Sequence, residues 1–215
     1  MYTPNDYLDL YDFRVRVAKM YEVRTTMLND GRDADAVVEG FRRERDMLFK
    51  THPQSALNVE QRVDFTALEY YPYNSDARVE AVVDPDVEPQ ETGFTTSGGD
   101  SMPMRLVAQL HFAYRRQPAS LAMYWIEVYG GGLYLCFRDA TAPHDTYGGG
   151  RYLFDTVKGS AFERLPARDG RHRIILDFNY AYNPSCAYNP AWSCPLAPPE
   201  NRLTFAIEAG EKRFH

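Results

Sequence analysis

The chain has 215 residues, which is enough to bury a core without disulfides or a structural metal. Its net charge of −6 argues against nucleic acid and against an anionic membrane as the main partner, because both are bound by basic surfaces. The sequence contains no apolar run of membrane-spanning length, and charged residues interrupt its N-terminal stretch where a secretory signal would be apolar, so we expect a cytoplasmic protein.

Two helices are predicted to open the chain. The first spans about Asn5 to Leu28, and its apolar face is predicted from residues spaced three or four positions apart: Leu8, Tyr11, Val15 and Ala18. The second lies between Asp33 and Pro53, with apolar positions at Val37, Val38, Phe41, Leu48 and Phe49. The charged residues 42–46 of this helix are predicted to face solvent.

From Val63 onward the sequence is typical of β-strands. The predicted strands are "VDFTALEYY", "ARVEAVV", "GFTTS", "MRLVAQLHFAY", "LAMYWIEVY", "GLYLCFRDA", "RYLFDTV", "HRIILDFNY" and "LTFAIEA". Turn signals separate them and no helix intervenes, which predicts an antiparallel barrel or sandwich. The predicted fold is therefore α+β and predominantly β. We interpret the chain as one domain over residues 1–215, with a helical part at about 1–55 and a β part at about 63–215.

A polar connection joins two of these strands. This glycine-rich connection, residues 137–154, reads "FRDATAPHDTYGGGRYLF". Its three consecutive glycines let backbone N–H groups approach a carboxylate or phosphate, with Arg151 as a second donor. The same residues also fit a tight hairpin whose polar side chains are solvated.

The end of the strand "RIILDFNY" carries two polar side chains on one face. Asp177 and Asn179 are two positions apart and therefore point to the same side of a regular strand. Such a position suits ligand binding at the mouth of a barrel. Equally, the two side chains can hydrogen-bond loop backbone and thereby hold the long coil that follows the strand.

A long segment rich in proline follows this strand. Residues 181–202, here called the flap, contain the repeat "AYNP" twice, and the prolines and aromatic residues predict an ordered coil packed on the barrel. Cys186 and Cys194 lie in the flap, eight positions apart. Free buried thiols, a disulfide and a metal site are all compatible with this spacing, although zinc sites usually show closer pairs. Cys136 is predicted to lie in the core.

The connection and the flap carry a family resemblance. "FRDATAPHDTYGGGRYL" and "ILDFNYAYNPSCAYNPAWSCPLAPPENRLTFAIEAGEK" resemble a bacterial and archaeal family known as domain of unknown function 1684. "RRERDMLFKTHPQSAL" resembles the N-terminal element of that family, so the similarity runs from about Phe41 to the end. The resemblance implies no activity, but it indicates that both polar segments are features of the family.

Three functional hypotheses remain open. The first is a binding module that encloses a small polar or anionic ligand where the connection and the flap meet. Its predicted ligand-binding residues are Thr141, Thr146, Gly150, Arg151, Tyr152, Asn179, Tyr182, Asn183 and Arg202. The second is a hydrolase or isomerase with Asp139 or Asp177 as base and Tyr147 or His144 as acid, or, by fold analogy alone, a flavin-binding oxidoreductase. In the third, both segments only stabilise the fold. The sequence identifies no cofactor or metal ligand and leaves homo-oligomers open.

Overall fold

The N-terminal part of the protein is helical, as the sequence predicts. The computed structural model describes residues 3–215. Helix α1 spans Pro4–Asn29, α2 spans Ala34–Thr51, and a short third helix, α3, spans Val59–Asp64. The third helix begins at Asn58, whose side chain accepts a hydrogen bond from the backbone N–H of Gln61. That cap favours helix over the strand predicted from Val63 onward.

The buried side of α1 is not the predicted one. Leu8 and Tyr11 are 66 % and 69 % exposed, and Val15 is also exposed, whereas Tyr21 and Arg24 are buried. Both faces of this helix carry apolar residues, so the three-to-four spacing alone does not decide which of them packs.

Helix α2 packs as predicted on its apolar side, but the prediction that residues 42–46 face solvent is wrong in part. Val37, Val38, Leu48 and Phe49 are buried. Within residues 42–46, Arg42 is also buried, and the side chain of Arg45 is only 15 % exposed. Both guanidinium groups lie over aromatic rings, Arg42 over Tyr70 and Arg45 over Phe49, which gives each cation a partner away from solvent.

Eight antiparallel strands form one curled sheet, a half-barrel. The strands are β1 (Arg78–Asp84), β2 (Glu91–Thr95), β3 (Ser101–Tyr114), β4 (Gln117–Ile126), β5 (Gly132–Phe137), β6 (Arg151–Asp155), β7 (Glu163–Arg168) and β8 (Arg171–Asp177). Their order is β6-β5-β4-β3-β1-β8-β7, and β2 pairs with the first part of the long strand β3. This arrangement confirms the predicted antiparallel fold preceded by two helices.

Two strand assignments made from the sequence are wrong, and one strand was missed. Residues 65–71 run beside the helices, where Phe65 and Leu68 are buried, and only Tyr70 forms a bridge, with Glu211. Residues 203–209 are not a strand of the sheet, because their backbone is bound partly by the backbone of Arg138 and Ala140 and partly by side chains, as described below. Strand β7 was missed because "ERLPAR" is polar and contains a proline, features that an edge strand tolerates.

Candidate functional site

Asp139 and Arg151, at the ends of β5 and β6, form a buried ion pair. Arg151 Nη2 lies 3.2 Å from Asp139 Oδ1, and each side chain is 1 % exposed. Burial lowers the pKa of Arg151, and the charge of Asp139 opposes that shift. We call these two residues the buried clamp.

The buried clamp binds the backbone of the C-terminal segment. Arg151 donates to the carbonyl oxygens of Ile207 at 3.1 Å and Ala209 at 2.5 Å, and Asp139 Oδ2 accepts from the N–H of Ile207 at 2.7 Å. Two further predicted site residues, Thr141 and Thr146, join the same network: Thr141 Oγ1 donates to Asp139 at 2.9 Å, and its distance to Thr146 Oγ1 is 2.7 Å. Together with backbone hydrogen bonds of Arg138 and Ala140, these side chains replace the ladder that a regular final strand would have made.

Asp177 and Asn179 lie elsewhere and bind a loop. Asn179 exchanges hydrogen bonds of 2.9 Å with the backbone N–H and C=O of Asn74, and it donates to Asp177 at 2.9 Å. Asp177 also lies 3.6 Å from Arg78. Asn179 therefore binds loop backbone, as one of the two hypotheses expected, but this loop contains Asn74 and is not the long coil that follows the strand. Burial raises the pKa of Asp177.

The glycine-rich connection and the flap do contact each other. Tyr147 lies with its hydroxyl 3.6 Å from Cys186 Sγ, and the N–H of Ala197 donates to the carbonyl of Gly149 at 3.0 Å. Two further predicted residues, His144 and Arg202, are exposed. The four residues predicted as catalytic, Asp139, His144, Tyr147 and Asp177, therefore have separate surroundings, and their catalytic roles stay predictions.

Gly150 allows the backbone of Phe137 and the side chain of Ala197 to approach it closely. Its φ is +95°, and a Cβ there would lie 2.6 Å from the carbonyl oxygen of Phe137 and 2.7 Å from Cβ of Ala197. We expect Gly150→Ala to lower the free energy of unfolding by about 2–3 kcal/mol, since it adds both left-handed backbone strain and a backbone clash. Chemical denaturation measures this change in the free energy of unfolding. Gly148→Ala is the control, because its φ is ordinary; an equal loss in both variants would contradict the explanation.

A cavity that predicted ligand residues help to line lies between the helices and the flap. This helix–flap cavity has a volume of about 130 Å³. Helix α1 contributes Phe13 and Val17, α2 contributes Phe41, and the flap contributes Trp192. Among the predicted ligand-binding residues, Tyr152, Tyr182 and Asn183 line it.

The charged residues that line the helix–flap cavity are all cationic. They are Arg14, Arg45 and Lys158, and no Asp or Glu joins them. Arg14 and Lys158 are exposed, whereas Arg45 is largely buried, with its guanidinium 4.6 Å from the Phe49 ring centre and 5.1 Å from that of Tyr182. Cations therefore occur both where the cavity meets solvent and inside it, against aromatic walls.

A buried carboxylate forms an ion pair with Arg45. Glu211, 1 % exposed, lies 3.0 Å from Arg45 Nη2, and it also accepts hydrogen bonds from Tyr188 and from the side chain of Asn183. Burial acts to lower the pKa of Arg45, but Tyr188 and Glu211 outweigh it and raise that pKa. Arg45 Nε and Asn183 Oδ1 are buried and have no hydrogen-bond partner among residues 3–215. Two polar atoms of cavity-lining residues are thus buried without a hydrogen-bond partner among the described residues.

Two classes of feature do not occur in the part of the chain that the structure describes. No group of three or more His, Cys, Asp or Glu side chains is arranged to hold a metal ion between residues 3 and 215. Over the same residues, no helix combines the length and the apolar character that crossing a bilayer requires.

These features define a class: an α+β half-barrel whose N-terminal helices and proline-rich flap enclose a cavity. The chain belongs to the family described as Protein of unknown function (DUF1684), whose profile matches residues 63–212. This confirms the resemblance inferred from the connection and the flap. The matched region stops short of α1 and α2, so one wall of the helix–flap cavity lies outside it.

One solved structure is similar over most of the chain. It is the solution NMR structure of an uncharacterized protein from gene locus rrnAC0354 of Haloarcula marismortui, with 34 % identity and a TM-score of 0.61. The similarity covers 86 % of this chain and 96 % of that one, which supports a common fold. Among curated proteins, no match was found.

Sequence reasoning missed the helical wall of the cavity. On α1, the residues that line the cavity have the same three-to-four spacing as the face chosen from the sequence; they are Leu10, Phe13, Val17 and Tyr21. On α2, the charge of Arg45 suggested a side that faces solvent. An available signal was the apolar run Met47-Leu48-Phe49 directly after the charged run, which places Arg45 one turn before the buried positions Leu48 and Phe49.

Proposed function

We propose that the protein binds a small amphipathic anion in the helix–flap cavity: an apolar ring or short chain that carries one carboxylate. The observation that carries the proposal is the set of charged lining residues, which comprises three cations and no carboxylate. In a site partly shielded from water, such a set favours an anion over a neutral or cationic ligand.

The walls suit the apolar part of this ligand. Phe13, Phe41 and Trp192 contribute aromatic surface, and Val17 contributes aliphatic surface. The volume of about 130 Å³ approaches that of an engineered cavity of about 150 Å³ that takes up benzene. A ring-sized body is therefore the right scale, and ligand pockets of this type are mostly apolar with a few placed polar groups.

Polar groups inside the cavity give the ligand its orientation. We assign the carboxylate to Arg45, whose Nε is unpartnered, and the stacking surface to Tyr182, beside which Arg45 lies. Asn183 Oδ1 would accept a hydrogen bond from a ligand hydroxyl or a bridging water. These roles keep Tyr182 and Asn183 as ligand-binding residues, in a different pocket from the one first expected.

Trp192 provides a direct test of binding. The chain has two tryptophans, so the variant Trp125→Phe leaves Trp192, which lines the cavity, as the only indole. We expect 3-phenylpropionate to change Trp192 fluorescence with a Kd on the order of 0.1 mM, and the matched neutral alcohol 3-phenylpropan-1-ol to bind at least about tenfold more weakly. Equal affinities would overturn anion selection, and no binding of either probe would overturn the proposal.

The cations at the solvent side should set this selectivity. We expect the double variant Arg14→Gln, Lys158→Gln to bind 3-phenylpropionate about tenfold more weakly while its affinity for the alcohol stays level, because it loses charge but no apolar wall. The matched control is Lys19→Gln, Arg43→Gln, which removes two exposed cations that line the outer groove between α1 and α2 instead. If both double variants lose the same affinity, net charge rather than the cavity is responsible.

A further inference from the structure

Two cysteines meet where the flap crosses the glycine-rich connection. The backbone N–H of Cys186 donates to Sγ of Cys194 at 3.4 Å, and the hydroxyl of Tyr147 lies 3.6 Å from Sγ of Cys186. Both thiols are free, and Cys186 is half-buried while Cys194 is 2 % exposed. One cysteine is therefore partly exposed, and the second lies beside it in the interior.

The surroundings hold this arrangement in place. The N–H of Ser97 donates to the carbonyl of Cys194 at 2.8 Å, and the N–H of Cys194 donates to the hydroxyl of Ser97 at 3.1 Å. Cys186 belongs to a short 3₁₀ turn, Ser185–Ala187, which closes on the carbonyl of Pro184. Both cysteine backbones are thus fixed by hydrogen bonds before any reaction occurs.

The pair is electrostatically asymmetric. A hydrogen bond from Cys194 is the main cause that lowers the pKa of Cys186 to about 6; burial opposes it, and Ser97 and Tyr147 add to the lowering. The same bond, together with burial, raises the pKa of Cys194, while the charge of Lys158 acts to lower it. The lowered pKa favours the thiolate form of Cys186 and the raised pKa favours the protonated thiol of Cys194, which is the division of roles between an attacking and a resolving cysteine.

We propose that Cys186 and Cys194 form a peroxide-reactive dithiol, in which a hydroperoxide oxidises Cys186 and Cys194 then closes a disulfide across the flap. In the first step the Cys186 thiolate attacks one peroxide oxygen, the O–O bond breaks, and the leaving oxygen takes a proton to become water or an alcohol. In the second step Cys194 sulfur attacks Cys186 sulfur and the sulfenic oxygen leaves as water with the proton of Cys194. With hydrogen peroxide, two thiols and one peroxide give one disulfide and two waters.

This chemistry is separate from ligand binding, but it would act on the same wall. The flap residues Pro184, Ser185 and Trp192, which lie beside or between the two cysteines, line the helix–flap cavity, whereas neither cysteine does. A disulfide would shorten and stiffen this part of the flap.

Intact-mass measurement of the full chain tests the proposal without any variant. Reduced, desalted protein is treated with one equivalent of hydrogen peroxide and its mass is read under denaturing, non-reducing conditions. We expect the loss of two hydrogens, peptide mapping that joins Cys186 to Cys194, and only Cys136 left for alkylation. An unchanged mass, a dimer linked between chains, or a bond to Cys136 would overturn the proposal.

The difference in pKa between Cys186 and Cys194 can be tested separately. The rate of Cys186 alkylation by iodoacetamide should rise with pH around a midpoint near 6, and Cys194→Ala should move that midpoint toward the ordinary cysteine value, by about two pH units, because it removes the hydrogen-bond donor. With peroxide, Cys194→Ala should accumulate a dimedone-reactive sulfenic acid at Cys186, while Cys136→Ser should behave like the parent. An ordinary midpoint in the parent protein would contradict the assigned roles.

Discussion

Replacing Arg151 by methionine is expected to lower the free energy of unfolding by about 3–5 kcal/mol. The substitution removes the hydrogen bonds from Arg151 to the carbonyl oxygens of Ile207 and Ala209, and it leaves Asp139 as a buried carboxylate without its cation. Losing one partner of a buried ion pair is far more costly than losing a surface pair. Urea denaturation followed by far-ultraviolet circular dichroism measures the change, and the melting temperature should fall by roughly 10 °C.

Arg202→Met is the matched control for this prediction. Arg202 was also predicted to bind a ligand, but it is exposed, so we expect its loss to change the free energy of unfolding by no more than about 0.5 kcal/mol. A small effect in both variants would mean that the buried clamp does not hold the C-terminal segment. It would then favour ligand binding as the reason for an arginine at position 151, because binding residues often cost stability instead of adding it.

The sequence predicted the fold class and most strands because those patterns are local. Alternation in β3 and β4 and the apolar face of α2 need only the residues themselves to be recognised. The segment 203–209 also alternates, but its backbone is bound by two side chains and by backbone groups of the glycine-rich connection, more than fifty positions away in sequence. A pattern of apolar residues does not distinguish a strand in a sheet from an extended segment that is bound by a buried clamp.

The candidate site was predicted less well, for a related reason. The polar residues of the connection looked like ligand-binding groups because their partners, the carbonyl oxygens of Ile207 and Ala209, carry no sequence signal. Conversely, Arg45 looked like a solvated charge because its partner, Glu211, lies 166 positions later in the sequence. Only Tyr152, Tyr182 and Asn183 were chosen from the sequence and also line the helix–flap cavity.

The ion pair between Arg45 and Glu211 should also have a large effect on the free energy of unfolding. Arg45→Met alone should lower the free energy of unfolding by about 3–5 kcal/mol, because it leaves the Glu211 carboxylate buried without a cation. Glu211→Gln alone should also destabilise, since Arg45 then keeps its charge and loses its counter-ion. The double variant Arg45→Met, Glu211→Gln should be more stable than Arg45→Met, because both charges are gone and the glutamine amide oxygen still accepts hydrogen bonds from Tyr188 and Asn183.

A double-mutant cycle in urea gives the coupling energy, which we expect to exceed about 2 kcal/mol. The control cycle uses Arg43→Met and Glu44→Gln, exposed neighbours on the same helix, for which the coupling should stay below about 0.5 kcal/mol. Additive losses at Arg45 and Glu211 would refute the buried pair as the origin of the effect. A large coupling would establish that Glu211 holds Arg45, the cation assigned to the ligand carboxylate, in place. A counter-ion of this kind lets a protein keep a charged group buried and preorganised before a ligand binds.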